Sequence, residues 1–364
     1  MDVRQRSINC RLRWSLWAIG VVALVGAAVV GASVARAGPA AAPPKWAAYT
    51  PAATKCGTKA IQIAVVQPVT NTYSQAIGKG IRQYLKPCKN VTVTDFDTGF
   101  DAQKEFSTFQ DITAQHKYQA ILFLPLDPVG VIPAVQDAVK AGIQVVNFNN
   151  PLGHDYSTPR VHIPGQAGTV IEPQYQRGIW MAQMVAQACG KINPCKIGFI
   201  AGVIGISAEL AIGAGFNKEL KKHPNLVLTT YQGGGQYLPD PSRTVAANML
   251  TAHHDLNVIT GSGDQMIRGA EIAVDDAGLQ SQVKLVGLGG SAIAVQAVKA
   301  GKWFGTVITQ PLDQGRMSAY IALGRILNPK LPPLGINPFT YTHRTPLLTK
   351  AVLDKTHFVP QWSG

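Results

Sequence analysis

Short β-branched runs alternate with amphipathic stretches twice over between residues 60 and 300, and this rhythm restricts the fold more than any other feature. "IQIAVV" (61–66), "VTVTDF" (91–96), "AILFLP" (120–125) and "GIQVVNF" (142–148) read as strands. Between them, Asp101 can cap a helix whose Phe106, Phe109 and Ile112 share one face. In "DPVGVIPAVQDAVKAG" (127–142), Val131, Ala134, Val135, Ala138 and Val139 fall at i, i+3, i+4, i+7 and i+8, and Gly142 ends the run. The pattern then restarts, with helices expected over 173–189, 208–222, 240–253, 265–277 and 291–300, and strands over 196–202, 226–232, 257–263 and 283–290. Such alternation yields parallel sheets with helices on both faces. The expected class is therefore α/β, as two doubly wound parallel-sheet lobes. Sheets of this kind bind ligands beyond the carboxyl ends of their strands, so two facing lobes place two such edges across one cleft.

The fourth strand ends unusually, in "NFNNPLG" (147–153). Asn147, Asn149 and Asn150 crowd around Phe148 just where the ligand edge is expected. Side-chain amides donate and accept hydrogen bonds, carry no charge and are costly to bury unpaired. They either close a turn before Pro151 or await a polar, uncharged guest.

The ends of the sequence bear on location. Residues 1–13 hold four arginines and one aspartate, Trp14 to Val34 is almost wholly apolar, and "ARA" (35–37) offers small residues at signal-peptidase positions. This pattern predicts a secretory signal cleaved before Gly38 and an exported protein, which the resemblance given below implies is periplasmic. An uncleaved anchor competes, because about 20 apolar residues can also span a bilayer. Residues 38–55 read as a Pro/Ala-rich leader. Cleavage leaves 327 residues, enough for two lobes, and lowers the formal charge from +13 to +9 by removing five arginines and one aspartate. The remaining basic residues are scattered, with no arm or finger pointing to nucleic acid. Cys56, Cys88, Cys189 and Cys195 remain, an even number in an exported chain, which suggests disulfides. Three connectivities are possible. Local pairing is reasonable because Cys189 and Cys195 flank one short turn while Cys56 and Cys88 bracket the first strand and helix. Their spacing matches no common zinc site, and no metal or other cofactor is expected. His253-His254 lacks a third ligand nearby, "GLGG" and "QGGGQ" fit no phosphate-cradle motif, and GxSxG and HExxH are absent, so no enzyme is expected.

Three long segments carry a family resemblance: "VVQPVTNTYSQAIGKGI", the stretch from "DAQKEFSTFQ" to "GIQVVNFNN", and "VKLVGLGGSAIAVQAVKAGKWFGTVITQP". "TAHHDLNVITGSGDQM" and "RTPLLTKAVLD" extend it, so that roughly 58–350 resembles the periplasmic sugar-binding proteins of ABC importers, of the ribose-binding type. The resemblance implies the type I periplasmic binding fold with three hinge crossings, near Glu172–Pro173, near Gln310–Pro311 and between Pro338 and Thr345. One lobe would comprise 56–172 plus 311–340, the other 173–310 plus 341–364. It also implies a monomer that closes around a sugar-like solute and delivers it to a membrane permease. The competing role is a periplasmic sensor presenting its closed form to a chemoreceptor or sensor kinase. A lactose-repressor-type regulator shares the core, but the signal stands where its DNA-binding helices belong.

The same resemblance nominates site residues. Asn149 and Asn150 stand where the family carries Asp-Arg, Asn71 and Tyr73 at its first-loop contacts, Tyr237 at a ring-sandwiching aromatic and Gln310 at the hinge glutamine. Leu210 replaces an expected arginine, Gly263 an asparagine and Gly289 an aspartate, while Asp264 either touches ligand or caps the following helix. Charged hydrogen bonds are about twice as strong as neutral ones, so these departures predict a roomier, less polar cleft. A glycoside, a polyol or a partly apolar ring fits that cleft better than a simple aldose. Aromatic faces suit the C–H faces of a sugar, and amides suit its hydroxyls.

Overall fold

The computed structural model describes residues 56–342 and 344–364. The expected signal (1–37) and leader (38–55) lie outside the described residues. Along the chain, β1 (Ile61–Gln67), α1 (Thr72–Leu85), β2 (Val91–Asp97), α2 (Ala102–Ala114), β3 (Ala120–Phe123), α3 (Ile132–Lys140), β4 (Gln144–Phe148) and β5 (Gly168–Val170) form a first alternating series. The second comprises α4 (Gln174–Cys189), β6 (Cys195–Ile200), α5 (Ser207–Leu220), β7 (Leu226–Gln232), α6 (Pro239–Ala252), β8 (Val258–Gly261), α7 (Asp264–Asp276), β9 (Lys284–Gly289), α8 (Ala292–Lys299) and β10 (Gly305–Ile308). Then follow α9 (Pro311–Leu327), β11 (Leu334–Ile336), α10 (Pro338–Thr342), β12 (Leu347–Thr349) and α11 (Lys350–Leu353).

Two six-stranded sheets result, ordered β11-β5-β4-β3-β1-β2 and β12-β10-β9-β8-β6-β7. The order is the same in both once the last strand of each is matched. Pairing is parallel throughout except at β12, which runs antiparallel to β10. The chain crosses between sheets after β5, after β10 and after β11, so α9 packs on α1, β4 and β5 of the first lobe. The two α/β lobes and three crossings expected from the sequence are present.

Burial explains which strands are central. β3 is buried at every position, and β1 and β4 nearly so, which requires the unbroken apolar runs their sequences supply. The edge strands β2 and β7 carry Thr, Asp and Gln between apolar residues and are only partly buried. Helix starts are defined by side chains: Asn71 accepts from the Ser74 N–H while Ser74 Oγ accepts from the Asn71 N–H, and Asp101 accepts from the Lys104 N–H.

Two disulfides settle the choice among three connectivities in favour of local pairs. Cys56–Cys88 (Cα–Cα 5.4 Å) ties the approach to β1 to the end of α1, and Cys189–Cys195 (5.9 Å) closes the turn between α4 and β6. Loop-closure entropy gives about 3–4 kcal/mol for the longer loop and about 2 for the shorter. Reduction is therefore expected to lower the melting temperature measured by calorimetry, with Cys56→Ser costing more than Cys189→Ser. Identical melting with and without reductant refutes this.

Candidate functional site

Between the lobes lies a cavity of about 120 Å³, built from segments that follow the carboxyl ends of strands in both sheets. The first lobe contributes Asn71 and Tyr73 after β1, Phe100 after β2, Leu124 to Leu126 after β3, and Asn149 and Asn150 after β4. The second contributes Ile206, Ala208 and Ile212 after β6, Tyr237 after β7, Ser262 to Gln265 except Asp264 after β8, and Leu288 within β9. Gln174 and Arg177, in the first turn of α4, line it beside the first crossing, and Trp362 adds a wall from the last residues of the sequence.

One polar network joins the lobes at the hinge. Arg177 Nη2 donates to Glu172 Oε2 (2.6 Å), and both side chains are buried. Arg177 Nη1 donates to Asn149 Oδ1 (3.2 Å) and Gln174 Oε1 (2.9 Å). The other Glu172 oxygen accepts from the Gln310 N–H (2.7 Å) and from Gln314 Nε2 (3.0 Å), which also reaches the Tyr73 hydroxyl (3.1 Å). Burial alone lowers the pKa of Arg177, but the facing Glu172 carboxylate and Tyr73 raise it, so the guanidinium stays charged. Burial raises the pKa of Tyr73, with Glu172 adding to the effect. Arg177 Nε is buried without a hydrogen-bond partner.

Two rings from opposite lobes face each other across the cavity. Phe100 and Tyr237 lie nearly parallel (11°) with centroids 6.5 Å apart. The Tyr237 hydroxyl donates to Glu209 Oε1 (2.7 Å), whose other oxygen accepts from Ser262 Oγ (2.6 Å). Burial, and then Glu209, holds the Tyr237 pKa well above its usual value. Gly202 passes directly beneath this ring, where a Cβ would stand 2.4 Å from Tyr237 Cζ. Phe100, Asn149 and Tyr237 all have left-handed backbone, with φ of 58°, 64° and 53°. For non-glycine residues this costs on the order of 1–3 kcal/mol each. Such strain concentrates at ligand-facing positions.

The nominated residues divide. Asn71, Tyr73, Asn149, Asn150, Tyr237 and Gly263 line the cavity. Leu210 does not: it is exposed (61 %) on the outer face of α5, and helical phase turns Ala208 and Ile212 inward instead. Gln310 is fully buried behind the wall, joining the network through its backbone N–H. Asp264 is also buried behind the wall and does not cap α7. Its carboxylate accepts from the Ser291 N–H (2.8 Å) and Thr306 Oγ1 (2.8 Å), and burial pushes its pKa up to about 6. Gly289 lies beneath Trp362, with the Asp264 carboxylate pressed against it. Asn150 reaches the cavity, but its amide is occupied within the fold, donating to Pro125 O (2.8 Å) and accepting from Gln174 Nε2 (3.0 Å). The less polar cleft expected from the sequence gains a cation in Arg177, which lines it. Sequence reasoning missed Arg177, Gln174, Phe100 and Trp362. Only Phe100 carried a signal, an aromatic after Gly99 in the loop that follows a predicted strand.

The network predicts two measurable effects. Glu172→Gln leaves a buried guanidinium unpaired and is expected to cost about 3–5 kcal/mol by chemical denaturation, most of it recovered in Glu172→Gln/Arg177→Met. Full stability of the single variant contradicts the role. Glu105, on α2, accepts from the Leu126 and Asp127 N–H groups and so holds the cavity-lining loop after β3. Burial raises its pKa to about 7. An acid whose folded pKa exceeds its unfolded value stabilises below the unfolded value and loses that contribution as pH rises to the folded one. Glu105→Gln is therefore expected to gain stability relative to the parent protein between about pH 4.5 and 7. A constant difference in melting temperature over that range contradicts the assignment.

Residues 63–328 match the family described as the periplasmic binding protein domain. The ribose import binding protein RbsB of Bacillus subtilis is 26 % identical over 282 residues, covering 77 % of this chain and 85 % of the relative. The D-allose-binding periplasmic protein of Escherichia coli is 25 % identical over 280 residues, covering 75 % and 87 %. Among solved structures, an ABC transporter periplasmic solute-binding protein from Actinobacillus succinogenes with bound D-allose superposes with a TM-score of 0.69 at 24 % identity, covering 81 % of this chain and 100 % of that one. The Caulobacter myo-inositol binding protein bound to myo-inositol gives 0.70 at 21 %, covering 82 % and 96 %. With two parallel-sheet lobes, a cavity on their facing edges and a matching segment that spans most of the chain, this protein belongs to the periplasmic binding protein family.

Proposed function

We propose that the protein is the exported solute-binding component of an ABC-type importer, closing around one small hydroxylated ring compound and delivering it to a membrane permease. The observation that carries this reading is a single cavity of about 120 Å³ lined from both lobes, with two facing rings and hydrogen-bonding side chains on its walls. That volume lies below the several hundred Å³ of typical small-molecule pockets and runs against the roomier cleft expected from the sequence, so it supports one small ring over an oligosaccharide. The ribose- and D-allose-binding relatives, and structural neighbours with bound D-allose and myo-inositol, support the same class. Residues 56–172 with 311–340 act as one closing half, and 173–310 with 341–364 as the other. The ligand favours the closed form because it touches both. The work is binding and not turnover, and nothing in the site favours presentation to a sensor over delivery to a permease. Cleavage before Gly38 and action as a monomer complete the reading.

Asn71, Tyr73, Asn149, Tyr237 and Gly263 are the proposed contacts from the nominated set. Isothermal titration with D-ribose, D-allose, D-fucose and myo-inositol tests the function, and binding of none refutes it. Asn149→Ala is expected to weaken binding by about 1–3 kcal/mol without unfolding the protein. Asn150→Ala is expected instead to lower the melting temperature, because its amide bonds lie within the fold. Unchanged affinity in Asn149→Ala removes the end of β4 from the site.

A further inference from the structure

Trp362 stands far outside the matched segment, yet it forms part of the cavity wall. It is nearly buried (7 %), and its position is held from both lobes. On the second lobe, the Ala292 N–H donates to Trp362 O (3.0 Å) and the Ile293 N–H to Ser363 O (3.0 Å), fastening the segment to the start of α8. On the first lobe, Thr72 Oγ1 donates to Gly364 O (2.9 Å), and the Asp313 N–H donates to Gln361 Oε1 (3.2 Å). The indole meets the Tyr73 ring edge-on, with centroids 5.4 Å apart. Residues 361–364 therefore strap the two lobes together across one side of the cavity.

The indole and the Asp264 carboxylate together account for Gly289. A Cβ at 289 would lie 2.3 Å from Asp264 Oδ2 and 2.5 Å from Trp362 Cζ2, so no side chain at 289 is compatible with these two groups where they sit. A carboxylate side chain at 289 would have offered a charged acceptor to a ligand hydroxyl. Trp362 puts an aromatic surface there instead. Its only polar atom, Nε1, already donates to Gly289 O (2.9 Å), and the neighbouring lining residue Leu288 adds only hydrocarbon. A ligand hydroxyl directed at the indole face finds no partner on it, and the hydroxyl of Thr309, also in the lining, already donates to Gly289 O (3.0 Å); a polar group buried unpaired is costly. A C–H or methyl edge finds good contact.

We propose that Trp362 is a ligand-contacting, specificity-setting residue that selects a sugar lacking one ring-substituent hydroxyl, a deoxy or methyl-bearing monosaccharide, over its fully hydroxylated parent. This rests on the solute-binding reading above and narrows it. Titration calorimetry on the full chain tests it with three matched pairs differing by one hydroxyl: D-fucose and D-galactose, D-rhamnose and D-mannose, D-quinovose and D-glucose. The parent protein is expected to bind the deoxy member of at least one pair ten-fold or more tightly. Trp362→Ala is expected to lose that affinity ten-fold and reduce the ratio within the pair below three, whereas Trp362→Phe keeps the ratio. A purely structural role for Trp362 weakens both members equally and leaves the ratio intact, which overturns the proposal. Should the alanine variant fail to fold, Trp362→His carries the same test, since a polar ring edge must shift the ratio toward the hydroxylated sugar. A parent protein that prefers the hydroxylated member, or that binds only D-ribose, D-allose or myo-inositol, overturns the proposal while the solute-binding reading stands. Binding of none of these nine compounds overturns both.

Discussion

The buried ion pair between Glu172 and Arg177 organises both the hinge and the site. Glu172 ends the first passage between lobes, and its second oxygen holds the backbone of Gln310 at the next passage. One carboxylate thus fixes two of the three crossings relative to each other. Arg177 projects from the first turn of α4 and grips Asn149 at the end of β4, so the same pair sets the orientation of an amide at the cavity edge. An ion pair removed from water contributes little net stability, but losing either partner strands a charge. Its contribution here is geometric.

Around this pair the site is largely preorganised. Gln174, Asn150, Gln314 and Glu209 are occupied by partners within the protein, which fixes their rotamers before any guest arrives. The backbone strain at Phe100, Asn149 and Tyr237 is sustained by that scaffold, since Tyr237 is anchored through Glu209 and Asn149 through Gln174 and Arg177. Rigid, prepaired walls lower the ordering cost of binding. They also leave the guest few free protein groups to address.

Much of the architecture was legible because central strands need unbroken apolar runs and their covering helices need an amphipathic period. β1, β3, β4, β6 and β9 satisfied this plainly. β5, β10, β11 and β12 did not, because "GTV", "GTVI", "LGI" and "LLT" are too short to show a period and exist only because a neighbouring strand beside the hinge accepts them. In the site, residues placed by a strand end, such as Asn149, Tyr237 and Gly263, were readable. Leu210 was misplaced because a two-residue error along α5 turns a side chain to the opposite face. Arg177 resembled an ordinary solvated charge near a helix start, since its burial depends on Glu172 folding against it. Trp362 left no local trace, as its partners are at Gly289, Tyr73 and the start of α8.

Both passages braced by Glu172 run straight into proline: Pro173 precedes α4, and Pro311 opens α9. A pyrrolidine ring fixes φ near −65° and supplies no N–H, so these two links have lost torsions about which a hinge would turn. The third passage, between β11 and β12, runs through α10, and there Arg344 pairs with the Asp313 carboxylate on α9 (3.5 Å). Proline also stands at both ends of this third link, Pro338 and Pro346, so rotation between the halves is confined to a narrow set of bonds in all three.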